Sequence, residues 1–410
     1  MNKHESKKVK YVFVFLEIFS REGGIQSYVK DIFRSYQELN LPDQAEVFLL
    51  RDSPNCENPF ESENLKFHYC QTDSAQKSRI KLAAALLGCL LFKRPAQVFC
   101  GHINLAVLIK TLCQPLGIPY TVLTYGKEFW EPLKEKEKKA LASASAIWTI
   151  SRYSRDRACK VNDINTSKVK MLPCAIDGDK FTPGVKAPQL VEKYGLENAK
   201  VLMTVARLWS GDIYKGVDVT IRALPQILEE FPEVKYLVIG RGDDQPRLEK
   251  LTQDLGVSDR VIFAGFVPTE ELMLHYRLAD AYIMPSQEGF GIVYLEAMAC
   301  GVPVLSGDDD GSADPLQDGK LGWRVPHRDP AAVATACKEI LRGQDQRCDG
   351  QWLRERAIAL FGLPALKEKL QMLLQEAEGQ GGRGAGEQGA GGRRAGSREQ
   401  GAGGKIRINP

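Results

Sequence analysis

Two glutamates, Glu288 and Glu296, stand with seven residues between them in the run Pro285-Ser286-Gln287-Glu288-Gly289-Phe290-Gly291-Ile292-Val293-Tyr294-Leu295-Glu296. The apolar residues up to Pro285 read as a strand. Gly289 and Gly291 mark a loop whose backbone can approach a ligand closely. A helix is expected to start near Ile292 and stop at Gly301, a residue suited to a helix C-terminus. Such a helix start points free N–H groups and the positive end of its dipole into the loop. Glu296 then falls about one turn inside the helix. Two carboxylates beside an anion-binding helix start suit a ligand that carries both hydroxyls and phosphate.

A second pair is cationic. Val205-Ala206-Arg207-Leu208 ends a strand in arginine, and Lys215-Gly216 opens a helix after seven intervening residues. Arg207 and Lys215 at a strand's carboxyl end can offset the roughly two negative charges of a diphosphate, arginine by bidentate contacts. Near the start of the chain, Gly23-Gly24 follows the apolar run Val12–Leu16 and precedes a helical stretch, Ile25–Gln37.

These residues need strands and helices to position them. Short apolar runs at Val12–Leu16, Ala45–Leu50, Lys66–Cys70, Gln97–Cys100, Tyr120–Thr124, Ala146–Ile150 and Val169–Pro173 alternate with longer helical segments. The alternation restarts at Val201–Ala206 and continues through Lys235–Gly240, Arg260–Ala264, Ala281–Pro285 and Pro303–Ser306. Strands alternating with helices imply βαβ units and parallel sheets. The expected fold is therefore α/β, with two Rossmann-like doubly wound domains facing a central cleft. The domains are expected over residues 1–180 and 181–345, joined near Asp177–Asn198, with C-terminal helices over 346–375 packing back on the first domain. Ligands of doubly wound sheets sit at the carboxyl ends of strands, which places the site in the cleft.

At Glu288 and Glu296, in the context EGFG…LEAMACGVPV, the chain resembles retaining GT-B glycosyltransferases, family 4, whose signature is a Glu-x7-Glu motif. The resemblance runs from about Tyr11 to Leu374 and is more specific in the second half. It implies that Glu288 contacts the donor sugar's hydroxyls and Glu296 the ribose, and that Arg207 and Lys215 hold the donor diphosphate. Gly289, Phe290, Gly291 and Ile292 would complete the donor site, and Gly265-Phe266 would pack on the nucleobase. Gly23-Gly24 resembles the glycine loop that approaches diphosphate and acceptor. The implied reaction moves a hexosyl unit from a UDP-, GDP- or ADP-sugar, with retained configuration, to a carbohydrate, lipid-linked or small-molecule acceptor. No cofactor and no metal are implied.

The chain departs from that pattern in places. Many family members place a histidine where this sequence has Tyr125-Gly126-Lys127-Glu128. Tyr125 can occupy that position without a histidine's proton chemistry near neutral pH, and His102 is a nearby candidate for acceptor contact. The acid run Asp308-Asp309-Asp310 replaces a glycine-rich loop; it is expected to be a solvated loop rather than a cation site. Two other readings fit the same scaffold: a sugar-nucleotide epimerase, and a non-catalytic sugar-nucleotide-binding protein.

Composition bounds the remaining classes. A net charge of +3 over 410 residues gives no nucleic-acid footprint. Ten cysteines without a CxxC pair read as reduced thiols. The apolar run Ala83–Phe92 is too short to span a bilayer and reads as a buried or surface-packed helix, which leaves peripheral membrane contact as the alternative. Met1–Lys10 lacks an apolar signal core, so a cytoplasmic location, or one at the inner face of the membrane, is expected. Residues 376–410 are rich in Gly, Arg, Glu, Gln and Ala and are expected to form a disordered tail.

Overall fold

The computed structural model describes residues 9–384. The first sheet holds β1 (Val9–Phe15), β2 (Gln44–Leu49), β3 (Leu65–Tyr69), β4 (Gln97–Cys100), β5 (Tyr120–Thr124), β6 (Ala146–Thr149) and β7 (Val169–Met171). The second holds β8 (Lys200–Val205), β9 (Val234–Ile239), β10 (Val261–Gly265), β11 (Ala281–Met284), β12 (Val304–Gly307) and β13 (Trp323–Val325). Their spatial orders are β3-β2-β1-β4-β5-β6-β7 and β10-β9-β8-β11-β12-β13. All pairings are parallel. The strand order reverses between β1 and β4 in one sheet and between β8 and β11 in the other. This is the expected pair of doubly wound domains.

β1 shows why these strands read as unbroken apolar runs: it is covered on both faces. Val12 and Val14 face the cluster under the helices Ala75–Lys93 and Ile103–Cys113. Tyr11, Phe13 and Phe15 face Phe33 and Tyr36 of the helix Gly24–Glu38. Phe13 also stacks on Phe99 of β4 at 4.8 Å. Each fully buried aromatic contributes on the order of 2–3 kcal/mol. The same apolar cluster continues through Leu172, Ile176 and Phe181 into Met203, Tyr282 and Leu295 of the second domain.

Three expectations change. β13 was not expected: its three residues, between Gly322 and Pro326, are too few to carry a periodic signal. The joining segment 177–198 carries structure that the sequence reading did not assign to it. It carries the helix Pro188–Tyr194, a Lys186–Asp280 ion pair at 2.9 Å, and a Tyr194 hydroxyl 3.1 Å from His275 Nε2.

The third change concerns the C-terminal segment. Helix Gly350–Phe361 packs on the second domain, with Arg354 donating to the carbonyls of Phe181, Gly178 and Ala299. Helix Leu363–Gly384 packs along the first domain and runs well past residue 376. Glu376 pairs with Lys170 at 3.1 Å, Glu378 with Lys10 at 2.8 Å, and Ala377 is buried. Ala, Glu and Gln are strong helix formers, and the apolar stripe Leu370, Leu373, Leu374, Ala377 carries the helix onward. The rest of the expected tail, 385–410, lies outside the described residues.

Candidate active site

The site is built from strand ends at the two reversals. Gly23 and Gly24 follow β1, Arg207 follows β8, and Glu288 follows β11. They meet at a cavity of about 580 Å³ lined by Gly23, Gly24 and Tyr125 of the first domain and Arg207, Lys215 and residues 288–293 of the second. Helix Ile292–Ala299 begins on its wall, where the sequence placed it.

Its two glycines have different jobs. Gly291, at φ 89, takes a left-handed conformation ahead of the helix that a side chain rarely adopts. A Cβ on Gly289 would lie 2.7 Å from the carbonyl oxygen of Tyr125, so this glycine lets the two domains touch backbone to backbone. Phe290 lines the cavity through its loop, yet its ring is buried edge-on against Phe361, 5.8 Å away.

Glu288 is held from behind. Its N–H donates to Asp310 Oδ2 at 2.6 Å, and its carbonyl accepts from Gly311 N–H at 2.8 Å. Asp310 also accepts from Ser312 N–H at 2.9 Å and is 2% exposed. Burial pushes its carboxyl up to about 7 against those hydrogen bonds, and the nearby Glu288 charge adds to the rise. The acid run is thus only partly the expected solvated loop. Asp308 and Asp309 are exposed, whereas Asp310 is a buried brace for Glu288.

The cations are engaged with carboxylates. Lys215 pairs with Glu288, and Arg207 pairs with Asp212 at 2.8 Å. The Lys215 side chain is 18% exposed and that of Arg207 73%, so Arg207 swings more freely. The longer loop between them is a helical turn, Ser210–Lys215, that keeps Lys215 on the cavity wall.

Other expected residues lie off this wall. Glu296 accepts from the Tyr276 hydroxyl at 2.7 Å, and burial raises its carboxyl while that bond and Lys180 oppose the rise. Gly265 ends β10 in a left-handed conformation, and Phe266 is 53% exposed with the Arg241 guanidinium 4.8 Å from its ring centre. His102 caps helix Ile103–Cys113, its Nδ1 accepting from Asn104 N–H at 3.1 Å. Burial and Arg51 lower its pKa, and Glu17 opposes them. Tyr125 does line the cavity, but its hydroxyl is already spent on the Gly101 carbonyl at 2.8 Å. It ties the loops after β4 and β5 together instead of standing free for an acceptor.

Sequence reasoning missed Asp310, Asp212, Tyr214 and Tyr276. Asp310-Gly311-Ser312 carried a readable turn signal, since an Asp side chain commonly caps the backbone two residues on. Nothing in the sequence linked Tyr276 to Glu296. All ten cysteines are free thiols, eight of them buried.

Two parallel sheets with a phosphate-suited cleft define a class, and comparison with known proteins sharpens it. Residues 187–350 match the family of glycosyl transferases group 1. The match covers most of the second domain. Over 207 residues the chain is 36% identical to the GDP-mannose-dependent alpha-(1-6)-phosphatidylinositol monomannoside mannosyltransferase of Mycolicibacterium smegmatis, covering 48% of this chain and 53% of that protein. It is 33% identical over 236 residues to the D-inositol 3-phosphate glycosyltransferase of Corynebacterium jeikeium, covering 54% and 55% respectively. The chain thus spans little more than half the length of these curated relatives.

The whole fold has solved counterparts. Anabaena HepE in complex with UDP superposes with a TM-score of 0.72 at 18% identity, covering 90% of this chain and all of that one. Sucrose-phosphate synthase from Thermosynechococcus elongatus gives 0.72 at 21% identity, covering 90% and 99%. The fold is GT-B.

Proposed function

We propose that this protein is a retaining glycosyltransferase that moves a hexosyl unit from a UDP-, GDP- or ADP-sugar to a carbohydrate or lipid-linked acceptor, without a metal. The observation that carries this reading is the meeting of Glu288, Arg207, Lys215 and the start of helix Ile292–Ala299 at one cavity, opposite Gly23-Gly24. Two cations and a helix dipole can neutralise a diphosphate, while Glu288 accepts hydrogen bonds from sugar hydroxyls. Glu296 lies on the same helix and would serve the ribose, with Gly265-Phe266 toward the base. The C1–O bond to the β-phosphate breaks on the face from which the acceptor hydroxyl attacks. The electron pair stays with the phosphate oxygen, which takes the acceptor's proton. The protein supplies orientation and charge stabilisation.

The test is to screen UDP-, GDP- and ADP-sugars with simple acceptors in excess EDTA and to read the product anomer by NMR. Retained configuration with full activity in EDTA is expected. Inverted product, or activity lost in EDTA and restored by Mg²⁺ or Mn²⁺, overturns the mechanism. Epimerised donor formed without any acceptor would favour an epimerase, and tight donor binding without turnover a binding protein.

A lipid-linked acceptor at a membrane's inner face is favoured by helix Ala75–Lys93. No helix among the described residues is long and apolar enough to cross a membrane. This one is buried on one face through Leu82, Leu86 and Leu90, yet exposes Ile80 (69%), Leu87, Leu91 and Phe92 (88%) on another. Lys77 and Lys81 are exposed on the same side of the helix as that stripe, which suits an anionic lipid surface. The protein is expected to co-sediment with vesicles containing anionic phospholipid more than with zwitterionic ones. Replacing Leu91 and Phe92 together by Ser should abolish that binding while the melting temperature holds. Unchanged sedimentation would remove the membrane from this reading.

A further inference from the structure

Arg207 and Lys215 both belong to the second domain, but a third cation reaches the same place from the first. Lys127 opens the short turn Lys127–Phe129 beyond β5. Its base is firm: Phe129 and Trp130 are buried, and Trp130 Nε1 donates to Ser154 Oγ at 3.1 Å. From there the side chain crosses the cleft, and its ammonium rests 3.0 Å from the centre of the Tyr214 ring. Tyr214 is the neighbour of Lys215 in the loop after β8, and its own ring is 5.4 Å from the Lys215 ammonium. The charges that act on Lys127 are those of the site itself. Glu288 and Asp212 attract its ammonium, while Lys215 and Arg207 repel it. Desolvation against the opposite domain outweighs these and lowers its pKa.

All three cations thus have a partner within the protein: Lys215 has Glu288, Arg207 has Asp212, and Lys127 has an aromatic face. The aromatic contact differs from the other two in kind, because a ring carries no net charge to compensate that of the ammonium. An anion in the cleft would therefore compete for Lys127 with a neutral ring rather than with a carboxylate. During transfer, the C1–O bond breaks and its electron pair stays on the β-phosphate. The negative charge of that phosphate roughly doubles until the acceptor's proton arrives. A cation supplied from the opposite domain meets this charge as it develops, rather than in the bound donor alone.

We propose that Lys127 leaves the Tyr214 ring to bind the departing diphosphate, making the first domain a contributor of leaving-group charge stabilisation. The inference rests on the glycosyltransferase reading.

The test compares parent, Lys127→Met and Lys127→Arg proteins for turnover, and for binding of nucleoside diphosphate, nucleoside monophosphate and intact sugar nucleotide by calorimetry. Lys127→Met should lower kcat on the order of 10²-fold, as loss of one charge-stabilising donor does. Nucleoside diphosphate affinity should fall about tenfold, whereas that for the monophosphate and the intact donor should change by less than about threefold. Lys127→Arg should recover most of kcat. A merely structural role through Tyr214 would lower all three affinities alike, with rescue by arginine because arginine also packs on a ring, and that pattern would overturn the proposal. So would Lys127→Met turnover equal to the parent's. A parent protein without transfer activity would instead refute the glycosyltransferase reading itself.

Discussion

At the residue scale, the site is a set of charges whose positions are fixed by other charges. Glu288 has no helix of its own; its backbone is set by Asp310, twenty-two residues on in sequence and 2.6 Å away in space. That brace carries a pH signature. The Asp310 carboxyl sits at about 7 in the folded protein against an ordinary 3.8, and buried Asp31 is likewise raised to about 7. Between those values the folded state holds protons that the unfolded chain has released. Stability contributed by these groups is thus full below about pH 4 and is lost as pH rises through 7. Asp310→Asn should remove about half of that pH dependence, seen as a shallower fall in melting temperature between about pH 5 and 7. An unchanged slope would mean that Asp310 is not the titrating group. Glu288, Arg207, Lys215 and the glycines at 23, 24, 289 and 291, which meet at one cavity, stand in local runs whose types and spacing could be read. Asp310 was visible as an acid but not as a brace, since its role depends on which loop folds against it.

At the element scale, almost every strand could be read because a parallel strand covered on both faces is an uninterrupted apolar run. β13 escaped because three residues carry no period, and the linker helix Pro188–Tyr194 because its polar, Pro-rich composition imitates a loop. The C-terminal boundary failed for a different reason. Composition switches to Gly, Glu and Gln at about residue 376, but helix Leu363–Gly384 does not stop there. Ending the chain after Gln375 would remove the buried Ala377 and the Glu376–Lys170 and Glu378–Lys10 pairs. Exposed pairs contribute about 0–1 kcal/mol each. The truncation should therefore lower the melting temperature by about 1–3 °C, by differential scanning calorimetry. A melting temperature equal to the full chain's would show that the last turns of this helix add nothing.

At the scale of the whole molecule, the two domains are joined by contacts of two kinds. Through the linker and the C-terminal helices runs a continuous apolar cluster, Leu172, Phe181, Leu295, Phe361 and Leu366 among its members. Across the cleft the contacts are polar and few: Arg152 with Asp314 and, at 2.8 Å, with Asp318, Ser154 Oγ with the Gly289 carbonyl at 3.5 Å, and Lys127 on Tyr214. Apolar packing resists separation, because it would expose surface to water. A half-exposed ion pair exchanges readily with solvent, worth about 0–1 kcal/mol. The molecule is thus built to open at the polar side and pivot on the apolar one. Arg152→Ala keeps the backbone N–H bond to Asp314 but deletes the side-chain clasp. It should raise the radius of gyration of the unliganded protein in small-angle scattering, and adding nucleoside diphosphate should return it toward the parent's value. The donor's KM should rise about threefold to tenfold, because binding must then supply the closure that the clasp now provides. A radius and a KM equal to the parent's would mean that the apolar cluster alone sets the cleft, leaving Arg152 no part in holding it closed.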